Sequence, residues 1–150
     1  ITLAYFMHQV RKSLSEEKMP IMEFYRNAQE KARALGISES LLDRPLHAGL
    51  SGGEKKQSEI LELVLLKPKF AFLDEIDSGV DVDALQSVFR GVAECRALGS
   101  AVVLITHYPS IVKNVAPDHV HVFSEGRIIE SGGAEIAERI EKDGFKKQCV

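Results

Sequence analysis

The chain has 150 residues, of which 45% are hydrophobic and 27% charged, and it carries a formal net charge of −3 at pH 7. This length and composition predict one modest domain with a real core. The small negative charge argues against nucleic acid or an anionic membrane as a partner attracted by bulk electrostatics. The sequence has no apolar run of about 20 residues, so we expect no insertion into a bilayer. No secretory leader is recognisable, although the chain opens on Ile1 inside a predicted helix.

The hydrophobic periodicity predicts helices and strands that alternate along the chain. In chain order we expect helices at residues 1–13, 21–35, 38–42, 54–66, 83–98 and 134–143, and strands at residues 70–73, 101–105, 119–123 and 127–130. Gly36 and Gly99 are placed to end two of the helices. The turn Ser124-Glu125-Gly126 predicts that the last two strands form a hairpin. Continuously apolar strands separated by a helix predict an α/β fold with a buried parallel sheet and right-handed crossovers.

The segment Leu50-Ser51-Gly52-Gly53-Glu54 stands at the start of a predicted helix. Glycines let backbone N–H groups approach a phosphate closely, and the N-terminus of a helix favours anions. The segment therefore predicts a phosphate contact, with an ordinary helix cap and tight turn as the alternative. Lys55 and Lys56 follow in the first turn, where cations oppose the helix dipole, and we interpret them as solvated side chains.

Two adjacent carboxylates, Asp74 and Glu75, close the short apolar run Phe70-Ala71-Phe72-Leu73. Carboxylates at the end of a buried strand are expensive to leave unpaired, so a structural ion pair is one interpretation. The functional interpretation is that one carboxylate serves a Mg²⁺ ion and its neighbour orients or deprotonates a water molecule.

The histidines and cysteines carry weaker signals. His107 follows the end of a predicted strand, and a lone histidine is usually structural. His119 and His121 would share one strand face, which is half of a metal site, but no carboxylate or cysteine completes it and we interpret both as packed side chains. Cys95 and Cys149 fit no metal spacing, which indicates a reducing compartment and ordinary side-chain roles. A cluster or metal ligand at Cys149 is the alternative.

Taken in order, these motifs resemble the C-terminal half of an ABC-type ATPase. Residues 50–54 are similar to the signature loop, 70–75 to the Walker B strand with its catalytic glutamate, 78–81 to the D-loop, and Ile105-Thr106-His107 to the switch histidine. Finer details resemble the SufC family, the ATPases of the SUF iron–sulfur cluster assembly system. These details are Glu54-Lys55-Lys56, the run 77–85, Thr106-His107-Tyr108 and the run 117–122.

The resemblance to ABC ATPases implies a role for each motif residue. Asp74 would hold Mg²⁺ through water, Glu75 would polarise the attacking water, and His107 would sense the γ-phosphate of ATP. The signature loop would contact the γ-phosphate of ATP on the opposite protomer of an ATP-dependent, head-to-tail homodimer. The residues implied in this trans contact are Ser51, Gly52, Gly53 and Glu54, and those implied in linking the two ATP sites of the dimer are Ser78, Gly79 and Asp81.

The sequence departs from the ABC pattern in one large respect, because it contains no G-x-x-x-x-G-K-[ST] phosphate cradle. We therefore expect the chain to be the C-terminal portion of a longer ATPase and to be inactive alone. Residues 1–49 would form the helical subdomain, 50–130 the C-terminal part of the ATPase core, and 131–150 a helical tail.

In the intact protein, the SufC resemblance implies that ATP hydrolysis drives iron–sulfur assembly on scaffold subunits similar to SufB and SufD, in the cytoplasm or a plastid stroma. The nucleotide-binding subunit of an ABC transporter is an alternative with the same motif chemistry. An SMC-type DNA-repair ATPase is disfavoured, because residues 1–49 contain no heptad coiled coil. A scaffold without catalysis is the alternative from a different class.

Overall fold

The computed structural model describes residues 1–14, 19–46 and 48–144, and the chain divides into two units, Ile1–Ile105 and Thr106–Val150. Each unit is considered by itself. Among the described residues, no helix is both long enough and apolar enough to cross a membrane. Cys149, for which a ligand role was an open alternative, lies outside the described residues.

Four helices make up most of the first unit. They are α1 (Leu3–Leu14), α2 (Ile21–Leu35), α3 (Gly52–Leu66) and α4 (Val82–Ala97), with a 3-10 helix at Glu39–Asp43 between α2 and α3. The predicted helix at residues 21–35 is confirmed to the residue. It ends there because Gly36 adopts the left-handed conformation, with φ 73°, and its N–H closes on the carbonyls of Ala32 and Arg33.

Helix α3 begins two residues earlier than the sequence pattern predicts. Ser51 is its N-cap, so Gly52 and Gly53 lie inside the first helical turn rather than before it. This difference matters for the site, because the backbone amides of both glycines then point out of the helix end.

The first unit contains a two-stranded parallel sheet, β1 (Phe70–Asp74) and β2 (Ala101–Ile105). The prediction of parallel strands is confirmed, but the prediction that they are buried on both faces is wrong. Ala71 is 6% exposed, whereas Phe70 and Phe72 are each 73% exposed. Side chains alternate along a strand, and among the described residues only one face of this sheet is covered. The core of the unit comes from the helices and includes Ile60, Leu61, Val64, Val88 and Val92.

The second unit is built on the antiparallel hairpin β3 (Val120–Ser124) and β4 (Arg127–Gly132), and the predicted hairpin is confirmed. A register shift between Val122 and Phe123 interrupts the pairing. Helix α6 (Glu135–Asp143) packs Ile136 and Ile140 against Val122 to form a small core. A 3-10 turn, Pro109–Ile111, and the short helix α5 (Val112–Val115) precede the hairpin.

Candidate functional site

The N-terminus of α3 is held by a reciprocal capping box. Ser51 Oγ accepts a hydrogen bond from the Glu54 backbone N–H at 3.2 Å, and Glu54 Oε2 accepts one from the Ser51 N–H at 2.8 Å. The bond from the Ser51 backbone is the main cause of a lowered pKa at the Glu54 carboxyl, with the Ser51 side chain and the nearby Arg44 cation adding to it. Glu54 is therefore ionised under physiological conditions.

The two glycines of the first turn expose bare backbone. Within the described part of the chain, neither the Gly52 nor the Gly53 N–H has a hydrogen-bond acceptor. A Cβ on Gly52 would lie 3.7 Å from the Gly79 carbonyl oxygen, and one on Gly53 would lie 3.6 Å from the Ala84 Cβ, which are ordinary contacts. Packing among the described residues therefore does not require glycine here, although glycine costs about 1 kcal/mol relative to alanine in a helix interior. Glycine would allow another molecule to approach the backbone closely.

These amides face an open cleft of about 380 Å³. The N-terminus of α4 lies on its other side, where Asp81 Oδ1 caps the helix by accepting the Ala84 N–H at 2.8 Å. Gly79, with φ 69°, turns the chain into this cap. The cleft thus brings together the signature segment and the D-loop segment of one chain. Its lining residues are Ser51, Gly52, Gly53, Glu54, Gln57, Gly79, Asp81, Asp83 and Ala84.

Sequence reasoning did not place Gly79 and Asp81 beside Ser51. Their separation in sequence is long, and the pairing depends on how α3 and α4 cross. Each segment has its own local capping residues, but nothing in either segment's sequence indicates that the two lie next to each other.

Asp74 and Glu75 occupy the carboxyl end of β1, as the sequence predicts. Both side chains are exposed. Glu75 has a φ of 46°, in the left-handed region that non-glycine residues seldom adopt. Its N–H donates to the Ile105 carbonyl at 2.9 Å, and its own carbonyl accepts from the Ser78 N–H at 3.1 Å. The turn after β1 is thereby fixed by the end of β2.

The carboxylates of Asp74 and Glu75 suit Mg²⁺ chemistry. Magnesium is commonly bound through one or two protein carboxylates, water and substrate phosphates rather than by a complete protein cage. Across residues 1–14, 19–46 and 48–144, no three histidine, cysteine or carboxylate side chains are grouped to hold a metal ion by themselves. An exposed Asp74 at the end of a strand fits the water-mediated arrangement.

The histidines differ from one another in setting. His107 lies two residues beyond β2 in sequence, and its ring is tilted against the Tyr108 ring at a centroid distance of 4.0 Å. The interpretation of His119 and His121 as packed side chains sharing a strand face is wrong. Both are exposed, β3 begins only at Val120, and His121 Nδ1 lies 2.8 Å from Ser131 Oγ.

The two lysines and the described cysteine behave as ordinary side chains. Lys55 is exposed, and Lys56 pairs with Glu59 at 3.2 Å within α3. Cys95 is fully buried in α4, and burial raises the pKa of its thiol to about 11. A thiol in that state is unreactive, which agrees with the expected side-chain role.

The chain is similar in sequence to several known proteins. No protein-family model matches the chain. A probable ABC transporter ATP-binding protein of Streptococcus pyogenes is 46% identical over 97% of this chain and 57% of the relative. Vegetative protein 296 of Bacillus subtilis is 41% identical over 97% of this chain and 56% of its own length. A probable ATP-dependent transporter of Synechocystis is 42% identical over 90% of this chain and 53% of its own length.

Solved structures show the same relationship. A nucleotide-free ATP-binding cassette from an ABC transporter matches with a TM-score of 0.65 and 25% identity, over 95% of this chain and 60% of that one. CbiO1 of Clostridium perfringens, part of the CbiONQ transporter complex, matches with a TM-score of 0.63 and 30% identity, over 94% and 55%. The α/β fold is therefore that of the ATP-binding cassette. The chain is homologous to ABC-type ATP-binding proteins over nearly all of its length, and it spans slightly more than half the length of these curated relatives.

Proposed function

We propose that this chain supplies the signature loop, the Walker B carboxylates and the switch histidine of an ABC-type ATPase that converts ATP to ADP and phosphate. The observation that carries the proposal is the α3 N-terminus. Its two glycine amides face an open cleft beside the D-loop segment, and no packing among the described residues requires glycine there.

The proposed mechanism assigns a separate task to each of the motif residues. Gly52 and Gly53 donate backbone hydrogen bonds to the γ-phosphate of a nucleotide held mainly by the second protomer. Glu75 would orient the attacking water and accept its proton, and Asp74 would hold the magnesium ion through water. Magnesium, when bound, offsets the phosphate charge. His107 contributes a hydrogen bond near the γ-phosphate.

The names of the relatives favour transport as the process that the ATPase drives. The Streptococcus and Synechocystis relatives are both named for transporters, so we propose a membrane subunit as the first partner to seek. Iron–sulfur assembly on a SufB/SufD-like scaffold is the second candidate. The run 77–85 and the residues Glu54, Lys55 and Lys56 favour it. A cytoplasmic location remains a prediction under either function.

Substitution of Glu75 tests the catalytic assignment in the full-length protein. Glu75→Gln keeps the side-chain shape but removes the base, so ATP binding should persist while turnover falls by at least about 100-fold. ATP-dependent dimers should accumulate, because hydrolysis no longer separates them. Binding is measured by calorimetry, turnover by phosphate release and dimerisation by size-exclusion chromatography. Glu125→Gln, an exposed turn residue, is the control. Turnover that survives Glu75→Gln would remove Glu75 from the catalytic role.

A mixing experiment tests whether the signature loop acts in trans. Ser51→Arg should block the α3 N-terminus, so that the full-length variant binds ATP but neither dimerises nor hydrolyses it. Mixed with a variant that lacks the Walker A lysine, it should regain partial activity, since one composite site is then intact. ATP-dependent crosslinking between cysteines at position 51 and in the Walker A segment checks the geometry directly. Crosslinks confined within one chain would overturn the trans assignment.

Partner identity separates the two candidate processes. Crosslinking followed by affinity purification of the full-length protein should recover an integral membrane subunit if transport is the driven process. Recovery of a soluble scaffold resembling SufB or SufD would instead support iron–sulfur assembly.

A further inference from the structure

The guanidinium of Arg44 contacts the chain on both sides of Ser51. Its Nη2 donates to the Gly49 carbonyl at 2.6 Å, and its Nη1 lies 3.9 Å from Glu54 Oε1. The Arg44 and Glu54 side chains are 42% and 38% exposed. One half-exposed cation therefore touches both the backbone before the cap of α3 and the carboxylate after it.

The backbone of Arg44 is fixed before its side chain reaches the loop. Its N–H donates to the Leu41 carbonyl at 3.2 Å, and its carbonyl accepts the Leu3 N–H at 3.0 Å. Its φ of −72° and ψ of 149° are extended, as expected for a residue that precedes a proline, here Pro45. The side chain therefore starts from a defined position, which lowers the entropic cost of its contacts.

The conformation of Gly49 completes the arrangement. Its φ of 66° lies in the region that favours glycine. This turn presents the Gly49 carbonyl to the Arg44 guanidinium, so Gly49 and an arginine five residues earlier together set the approach to Ser51.

The capping box includes the negative charge of Glu54, which the Arg44 cation can balance. Glu54 places a full negative charge on the first turn of α3, next to the Gly52 and Gly53 amides that face the cleft. A phosphate approaching those amides meets a like charge, and the two charges repel each other. The Arg44 guanidinium lies against that carboxylate.

We propose that Arg44 is a positioning residue of the signature loop, which neutralises Glu54 and holds Gly49 so that an anionic phosphate can approach the α3 N-terminus. The inference rests on the proposed function and adds to it a residue that acts through Glu54. Arg44 does not line the cleft, so its effect is exerted on the loop and its charge rather than on the nucleotide.

The test is a double-mutant cycle in the full-length protein. Arg44→Ala should raise the ATP concentration required for half-maximal dimerisation about tenfold when Glu54 is present. The same substitution in the Glu54→Gln background should raise it by less than about twofold, since glutamine retains the cap without the charge. Arg44→Lys should raise this ATP concentration by less than Arg44→Ala does, because lysine keeps the positive charge but loses the two-pronged guanidinium contact. Arg33→Ala, which removes the exposed ion pair between Arg33 of α2 and Glu39 of the 3-10 helix, is the control.

A second readout does not depend on ATP. The titration of the Glu54 carboxyl, followed by carbon-13 NMR, should shift to higher pH in Arg44→Ala and stay in place in Arg33→Ala. Equal effects of Arg44→Ala in both backgrounds, or an unmoved Glu54 titration, would overturn the inference. If the unsubstituted protein neither binds nor hydrolyses ATP, the proposed function fails, and the NMR titration alone decides whether Arg44 controls Glu54.

Discussion

Glu75 combines a proposed catalytic role with a backbone conformation that glutamate seldom adopts. Its φ of 46° carries a steric cost of about 1–2 kcal/mol for a residue with a Cβ. Hydrogen bonds to the Ile105 carbonyl and from the Ser78 N–H hold it there. The strain is in the backbone, so a glutamine at this position has the same conformational cost as the glutamate. This is why Glu75→Gln isolates the chemistry of the carboxylate from the geometry of the turn.

Titration of Glu54 predicts a pH dependence of stability. Hydrogen bonds from Ser51 lower the pKa of its carboxyl in the folded chain below the ordinary value of 4.5. A group whose pKa falls on folding stabilises the native state above its unfolded pKa and loses that contribution as pH falls through the folded pKa. The stabilisation from Glu54 is therefore complete above pH 4.5 and disappears below it.

Comparison with Glu54→Gln measures this contribution. The difference in unfolding free energy between the two proteins, from urea titrations at several pH values, should be constant above pH 4.5 and shrink below it. A difference that grows on acidification would contradict the assigned direction of the shift.

At the scale of elements, the crossing of α3 and α4 aligns the two helix N-termini on the cleft. The helices are in close contact at Gly91, where a Cβ would lie 2.2 Å from Ile60 Cγ2, well inside van der Waals contact. Ile60 is 1% exposed, so it has little room to move. Glycine at position 91 is thus a packing requirement, in contrast to the glycines of the first turn of α3.

Alanine substitutions at helical glycines should therefore have opposite effects. Gly91→Ala should lower the free energy of unfolding by about 1–3 kcal/mol through overpacking. Gly52→Ala should raise it by up to about 1 kcal/mol through helix propensity, while weakening the phosphate contact that we propose. Urea unfolding measures both. Equal destabilisation by the two substitutions would contradict the assignment of different roles to these glycines.

At the scale of the whole molecule, the sheet of the first unit has an uncovered apolar face. Phe70 and Phe72 on β1 are aligned with Ala101 and Val103 on β2, and Val103 is 46% exposed. An exposed apolar surface next to an unpaired strand edge favours association. The chain spans slightly more than half the length of its curated relatives.

Lysine substitutions at successive residues of β1 distinguish its two faces. In the 150-residue chain, Phe72→Lys should change the free energy of unfolding by less than about 0.5 kcal/mol and reduce aggregation measured by light scattering. Ala71→Lys, one residue earlier on the covered face, should destabilise by more than about 2 kcal/mol. Comparable destabilisation by Phe72→Lys would show that its face is covered in solution.

Signals carried by neighbouring residues were predictable from the sequence. Gly36 ends α2 at the predicted residue, and Ser51 and Glu54 cap α3. The carboxylate pair was correctly placed at the end of a parallel strand, and the hairpin around Gly126 was correctly identified. Capping, turn and strand preferences depend on a few consecutive residues, so a single sequence is sufficient to reveal them.

Relations between distant residues were decided only by the tertiary structure. The sequence could not show that Gly91 meets Ile60, that Asp81 shares a cleft with Ser51, or that Arg44 reaches Glu54. Nor could it show that Phe70 and Phe72 are exposed, since an apolar run has the same pattern whether one or both faces are covered. Each of these features depends on which surfaces the folded chain brings together, and that is set by long-range packing rather than by local preference.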